Sequence, residues 1–263
     1  MTANNFFVAP AKYYFGMQPP RRSDVRLRLG DYLDYSAIVV PKVFGHITNQ
    51  MIWGTLGNTI AGDCVIAGSM HEIMDWTHAA QGATAPFTAG GALDLYKQIS
   101  GWNGIPGDQS DAGVEPVSYA NFRMRTGIAD AAGGVHKING YARVTTYDHL
   151  VAAAYLFGAC AFCFNVPSSA MKQFENGQPW TDVGDQSNVG GHYVPIVGRN
   201  RAGNLIAVTW GRLQALDASF ITRYGLLILA YIGLDYISKS TQLTPDNFNL
   251  AQLRADRAAL ANG

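Results

Sequence analysis

Gly57-Asn58-Thr59-Ile60-Ala61-Gly62-Asp63-Cys64-Val65-Ile66-Ala67-Gly68-Ser69-Met70 is the stretch whose reading decides the fold. A loop carrying Gly57 and Gly62 runs into a cysteine. After it, Val65, Ile66, Met70, Ile73, Met74 and Trp76 recur at helical spacing. The pattern predicts a helix from Cys64 to about Ala80, buried over much of its surface. A cysteine at such a point has two readings. It is often a small buried hydrophobe. A helix N-terminus also favours a thiolate, so the same position suits a nucleophile. Gly62 lets the loop backbone approach a substrate closely, whereas Asp63 opposes a thiolate unless its carboxyl is turned away as a helix cap.

A nucleophilic thiol needs a base. His71 and His78 lie on the same helix as Cys64, but at ~1.5 Å rise per residue even His71 is roughly 10 Å away. His192, in Gly190-Gly191-His192-Tyr193-Val194-Pro195-Ile196-Val197-Gly198, opens a strand after two glycines and is the best candidate. Asn58, six residues before the cysteine, has an amide to offer a tetrahedral oxyanion, with the Cys64 N–H as the second donor.

The rest of the chain divides near residue 140. Residues 1–45 read as an arm or a single edge strand wrapping a core. Residues 46–140 are helix-rich, with helical pieces at Gly91–Ser100 and from Pro116 to a stop at Gly127. Residues 141–240 are strand-rich: Tyr141–Thr145, Ala161–Val166, His192–Gly198, Asn204–Thr209 and Leu226–Ile232, with a helix over Tyr147–Gly158 and a hairpin turn at residues 199–203. Residues 241–263 read as a capped helix.

Composition excludes several functions. Lys+Arg and Asp+Glu both number 19, so no net field attracts nucleic acid or an anionic membrane. No apolar run is long enough to span a bilayer. The N-terminus lacks signal-peptide features, which points to synthesis in the cytoplasm. Three cysteines give no disulfide framework. Cys160-Ala161-Phe162-Cys163 has CxxC spacing, but no second pair or histidine cluster completes a metal site, so neither metal nor cofactor is expected.

The ordered set of Asn58, Gly-Asp-Cys64 at a helix start, Gly-Gly-His192 on a strand, then Val208-Thr209-Trp210-Gly211 resembles the papain-like cysteine peptidase superfamily. That resemblance spans roughly residues 40–240. It implies an α+β, two-lobe fold, with a helical lobe against an antiparallel sheet or barrel lobe and a cleft between them. It implies Cys64 as nucleophile, His192 as base and Asn58 in the oxyanion position. Val208 falls in the place of the third catalytic residue, with Thr209 beside it and Trp210 as shield. Gly62, Asp63, Gly113 and Gly191 line the cleft and the substrate backbone. The expected substrate is a peptide, isopeptide or cell-wall-like amide.

Two residues depart from the family pattern. Asn58 is one methylene shorter than the family's glutamine, and Val208 cannot orient an imidazole. An inhibitory propeptide is not recognisable. The combination of Gly62-Asp63-Cys64-Val65, the run from Pro167 to Trp180, Gly190–Gly198 and Thr209-Trp210-Gly211 also resembles short papain-like proteins of phages and prophages. This implies a virion setting with other virion proteins as partners; the arm of residues 1–45, the C-terminal helix and Val208 suit a rival reading as an inactive structural or binding scaffold.

Overall fold

In this computed structural model, residues 13–236 are described apart from 32, 34, 36, 37 and 48–50. The helix expected after residue 241 lies outside the described residues. Six α-helices and eight strands form among them. Helix α1 spans Cys64–Gln81 and stops at Gly82, whose φ of 69° closes the last turn. Helix α2 (Ala89–Ser100) is capped by the Thr88 hydroxyl. In α3 (Pro116–Arg125) Glu115 accepts the N–H groups of Val117 and Ser118, and Pro116 fills the first turn. Strands β1 (Ile128–Ala129) and β2 (Val135–His136) make a small hairpin.

One six-stranded antiparallel sheet then follows. Its members are β3 (Ile138–Val144), β4 (Cys160–Asn165), β5 (Gly191–Arg199), β6 (Leu205–Thr209), β7 (Arg212–Leu216) and β8 (Gly225–Gly233), in the order β3-β8-β4-β5-β6-β7. Helices α4 (Tyr147–Phe157), α5 (Ser168–Glu175) and α6 (Ala218–Tyr224) are interleaved. The β5–β6 hairpin turns where expected, and β8 covers the expected 226–232 strand. β3 begins three residues before the expected Tyr141. The pair β7 and α6 has no clear sequence signal. Among the described residues of the arm, 22–24 and 29–31 form 3-10 turns, and Met17, Arg28 and Phe44 make isolated bridges to Val114, Arg143 and Arg199 rather than a continuous strand.

The sheet is covered on both faces, which explains the unbroken apolar run of β4. Ala161 and Cys163 face one core with α1, while Cys160, Phe162 and Phe164 face the other with α4. The CxxC cysteines therefore point to opposite faces, buried and free, and cannot share a ligand. Helix α1 lies directly on β5: a Cβ on Gly68 would sit 2.6 Å from Tyr193 Cδ1.

Beneath that contact is a buried ion pair, Arg123 Nη1 to Glu72 Oε2 at 2.6 Å, both side chains 0% exposed. The Arg123 guanidinium also stacks over Tyr231, 4.5 Å from its centroid. Burial pushes the Glu72 carboxyl up to about 7 despite the arginine beside it. Arg123→Ala should therefore cost about 3–5 kcal/mol in urea unfolding by leaving Glu72 buried and unpaired. With its folded pKa raised further, Glu72 binds its proton more tightly folded than unfolded. The loss should then be smaller near pH 5 than near pH 8.

Candidate active site

Cys64 opens α1 and His192 follows the first residue of β5, so the packing of α1 on β5 brings both to the end of the sheet where β5 begins. Both are about 1% exposed. His192 lies in an aromatic box. Trp210 stacks on it at 4.4 Å and 15°, and Phe164 and Phe15 meet it edge-on at 5.7 and 5.9 Å. Its Nε2 pairs with the Thr209 hydroxyl at 2.7 Å. Val208 is buried in the core with α1, so Thr209 is the residue that touches the imidazole. Trp210 takes a φ of 44°, a conformation unusual for a bulky residue. Nδ1 of His192 is buried without a hydrogen-bond partner, so no hydrogen bond joins it to Cys64.

Burial dominates the electrostatics. It pushes the Cys64 thiol up to about 12 and the His192 imidazole down to about 3. Asp63 is completely buried, and its carboxyl does not cap α1. It fills the space a Gly57 side chain would take, 2.6 Å from the position of that Cβ. Burial also holds this carboxyl well above the usual carboxylate range, which weakens its hold on a charge beside the thiol.

What buries the pair is the chain's own arm. Tyr14 N–H donates to Asn58 O (3.2 Å), Met17 N–H to Gly191 O (3.1 Å) and Gln18 N–H to Val114 O (3.1 Å). Val114 N–H donates to Gly16 O at 2.7 Å. Residue 17 bridges Val114 in the parallel sense. The Gly16 N–H points at the Cys64 sulfur, as does that of Tyr193. Tyr13 and Phe15 rest on Trp210, at 4.8 and 5.8 Å.

The glycines expected to admit a substrate backbone instead admit the arm. A Cβ on Gly16 would lie 1.5 Å from Gly62 O, and one on Gly113 2.1 Å from Gly16 O. On Gly191 it would lie 2.3 Å from Met17 O. Asn58 is buried, and its amide donates to Tyr14 O (3.3 Å) and Ala61 O (3.2 Å), so the expected oxyanion donor is engaged by the arm. The segment that occupies this slot is residues 13–18. No sequence motif marks them, because the fit depends on backbone contacts.

No protein-family model matches the chain, and no curated protein matches it. Solved structures do. Xylellain, a cysteine protease from Xylella fastidiosa, aligns over 85% of this chain and 97% of its own, at 15% identity and a TM-score of 0.63. Procathepsin B S9 from Trypanosoma congolense aligns over 86% and 88%, at 13% identity and 0.61. Digestive procathepsin L 3 of Tenebrio molitor larval midgut aligns over 84% and 76%, at 12% and 0.57.

With the arm in place, the His192 C–H resonances should not titrate between about pH 5 and pH 8, where an ordinary histidine does. An NMR pH series on the whole chain checks this. Taken with its α+β architecture, the chain has the papain-like cysteine protease fold.

Proposed function

We propose that this chain is a papain-type thiol hydrolase of a peptide, isopeptide or related amide bond, held latent by its own residues 13–18. The observation that carries the reading is the arm's backbone, hydrogen-bonded along both walls of the cleft that holds Cys64 and His192. The buried pair is uncharged in this state, and a neutral thiol is a poor nucleophile. When the arm leaves, water lowers the cost of charge on both groups. Cys64 then passes its proton to His192, whose Nε2 stays on Thr209.

The thiolate attacks the carbonyl, and the oxygen takes the electron pair against the Cys64 N–H and the freed Asn58 amide. Collapse expels the amine, which takes the proton from His192 and leaves a thioester on Cys64. His192 then removes a proton from water, which attacks the thioester and frees the acid and the thiol.

A second reading is favoured by one observation: His192 Nδ1 makes no hydrogen bond to Cys64. On that reading the chain is a scaffold without turnover, serving as a structural or binding component among other virion proteins. The phage-like run at residues 167–180 suits a virion setting for either reading.

A vinyl sulfone that labels thiols separates the two, used on the intact chain. Gly16→Val cannot keep the arm seated against Gly62. If the open state is ~0.1–10% populated in the wild type, labelling should rise by about tenfold or more. Mass mapping should place the label on Cys64, and Cys64→Ala should stay unlabelled. A natively folded Gly16→Val chain that takes no label would establish the scaffold reading.

A further inference from the structure

One carboxylate reaches both walls of the cleft. Asp111 accepts the Gly62 N–H through Oδ1 at 2.9 Å and Oδ2 at 3.1 Å. Its Oδ1 also accepts the Tyr96 hydroxyl at 2.5 Å. That hydroxyl in turn accepts the Gly113 N–H at 2.9 Å. Tyr96 is fully buried, its ring 5.6 Å from Trp102, so the hydroxyl has a fixed place.

The two backbone groups tied in this way are not equivalent. Gly62 leads through Asp63 into the Cys64 N–H. Gly113 leads into Val114, whose N–H and carbonyl bind the arm at Gly16 and Gln18. Both glycines belong to walls within contact of Gly16, so the distance between them is the width of the slot. The carboxyl oxygens suit the junction as acceptors, because both groups facing them, a backbone N–H and a hydroxyl, donate.

We propose that Asp111, acting through Tyr96, is a positioning residue for the Cys64 reaction. It fixes the gap that receives the substrate backbone and holds the Cys64 amide where the oxyanion forms. The proposal rests on the hydrolase reading. A displacement of about 1 Å in such a frame costs roughly a hundredfold in reaction, so the clasp need not touch substrate to matter.

Two reagents with different demands test it in the full-length Gly16→Val chain. A peptide aldehyde adds to the thiolate, and its carbonyl oxygen takes the electron pair, so binding requires the oxyanion donors. Iodoacetamide alkylates the same thiolate, whose sulfur displaces iodide from the CH2 carbon, and forms no oxyanion. Any change in arm opening scales both reagents alike, so their ratio reports the alignment alone.

Asp111→Ala should weaken aldehyde binding by about tenfold to a hundredfold while alkylation of Cys64 stays within about twofold. Asp111→Asn keeps an acceptor for Gly62 and a donor for the Tyr96 oxygen, so it should recover most of the affinity. Tyr96→Phe, which frees only Gly113, should fall between them. Circular dichroism confirms that each variant is folded. Asp111→Ala moving both reagents equally, or neither, overturns the proposal. A parent chain whose Cys64 is alkylated but binds no aldehyde ends the hydrolase reading, and the positioning role with it.

Discussion

The site depends on a helix resting on a strand with nothing between them. Gly68 of α1 meets the ring and backbone of Tyr193, and no larger residue fits there. Because the axis of α1 is held that close to β5, the head of the helix and the start of the strand meet at the same end of the sheet. The layer below fixes the register. Ser69 meets the Tyr193 hydroxyl at 3.3 Å, Tyr193 meets that of Tyr231 at 3.3 Å, and Glu72 holds Arg123. A buried ion pair adds little net stability. Its effect here is negative: sliding α1 by one turn would part Glu72 from Arg123 and leave two unpaired charges in the core.

The local elements were legible because they are written in local chemistry. The helix after Cys64, the proline-started α3 and the β5–β6 hairpin each follow from periodicity or capping. β7 and α6 were not legible. Arg212–Leu216 is a short edge strand with mixed burial, and its pairing with β6 supplies the order that its own residues lack. At the site, the sequence singled out Cys64, His192 and the stretch Val208-Thr209-Trp210, of which Thr209 and Trp210 meet the His192 imidazole. It did not indicate Gly16 or Tyr96, nor Asp111 as the acceptor of the Gly62 N–H. Each of these acts through a backbone group distant in sequence, and no residue type announces such a partner. How far Asp63 charges the surroundings of the thiol depends on its burial, which a sequence does not show.

Burial also accounts for the state of the pair. Cys64 and His192 are neutral for one reason, the loss of water, and the arm contributes to that loss by lying across both. The fit of the arm does not come from strong side-chain affinity. It comes from width: at residue 16 the slot admits a backbone and nothing more. Tyr13 and Phe15 add the aromatic contacts that keep the strand in line with Trp210.

The arm and the proposed reaction compete for the same few hydrogen-bonding groups. The Asn58 amide donates to Tyr14 O, and the same N–H group would be needed by a developing oxyanion. Val114 offers one N–H and one carbonyl, both taken by Gly16 and Gln18, and the Gly191 carbonyl is taken by Met17. With the arm's backbone lying against Gly62, Gly113 and Gly191 there is no room for a second chain at these groups, so closing the cleft and using it are alternative states of one set of donors and acceptors. That exclusivity explains how a segment of a few residues, without a helix or a large interface of its own, can hold the site shut: each bond that seats the arm removes one that a substrate would need.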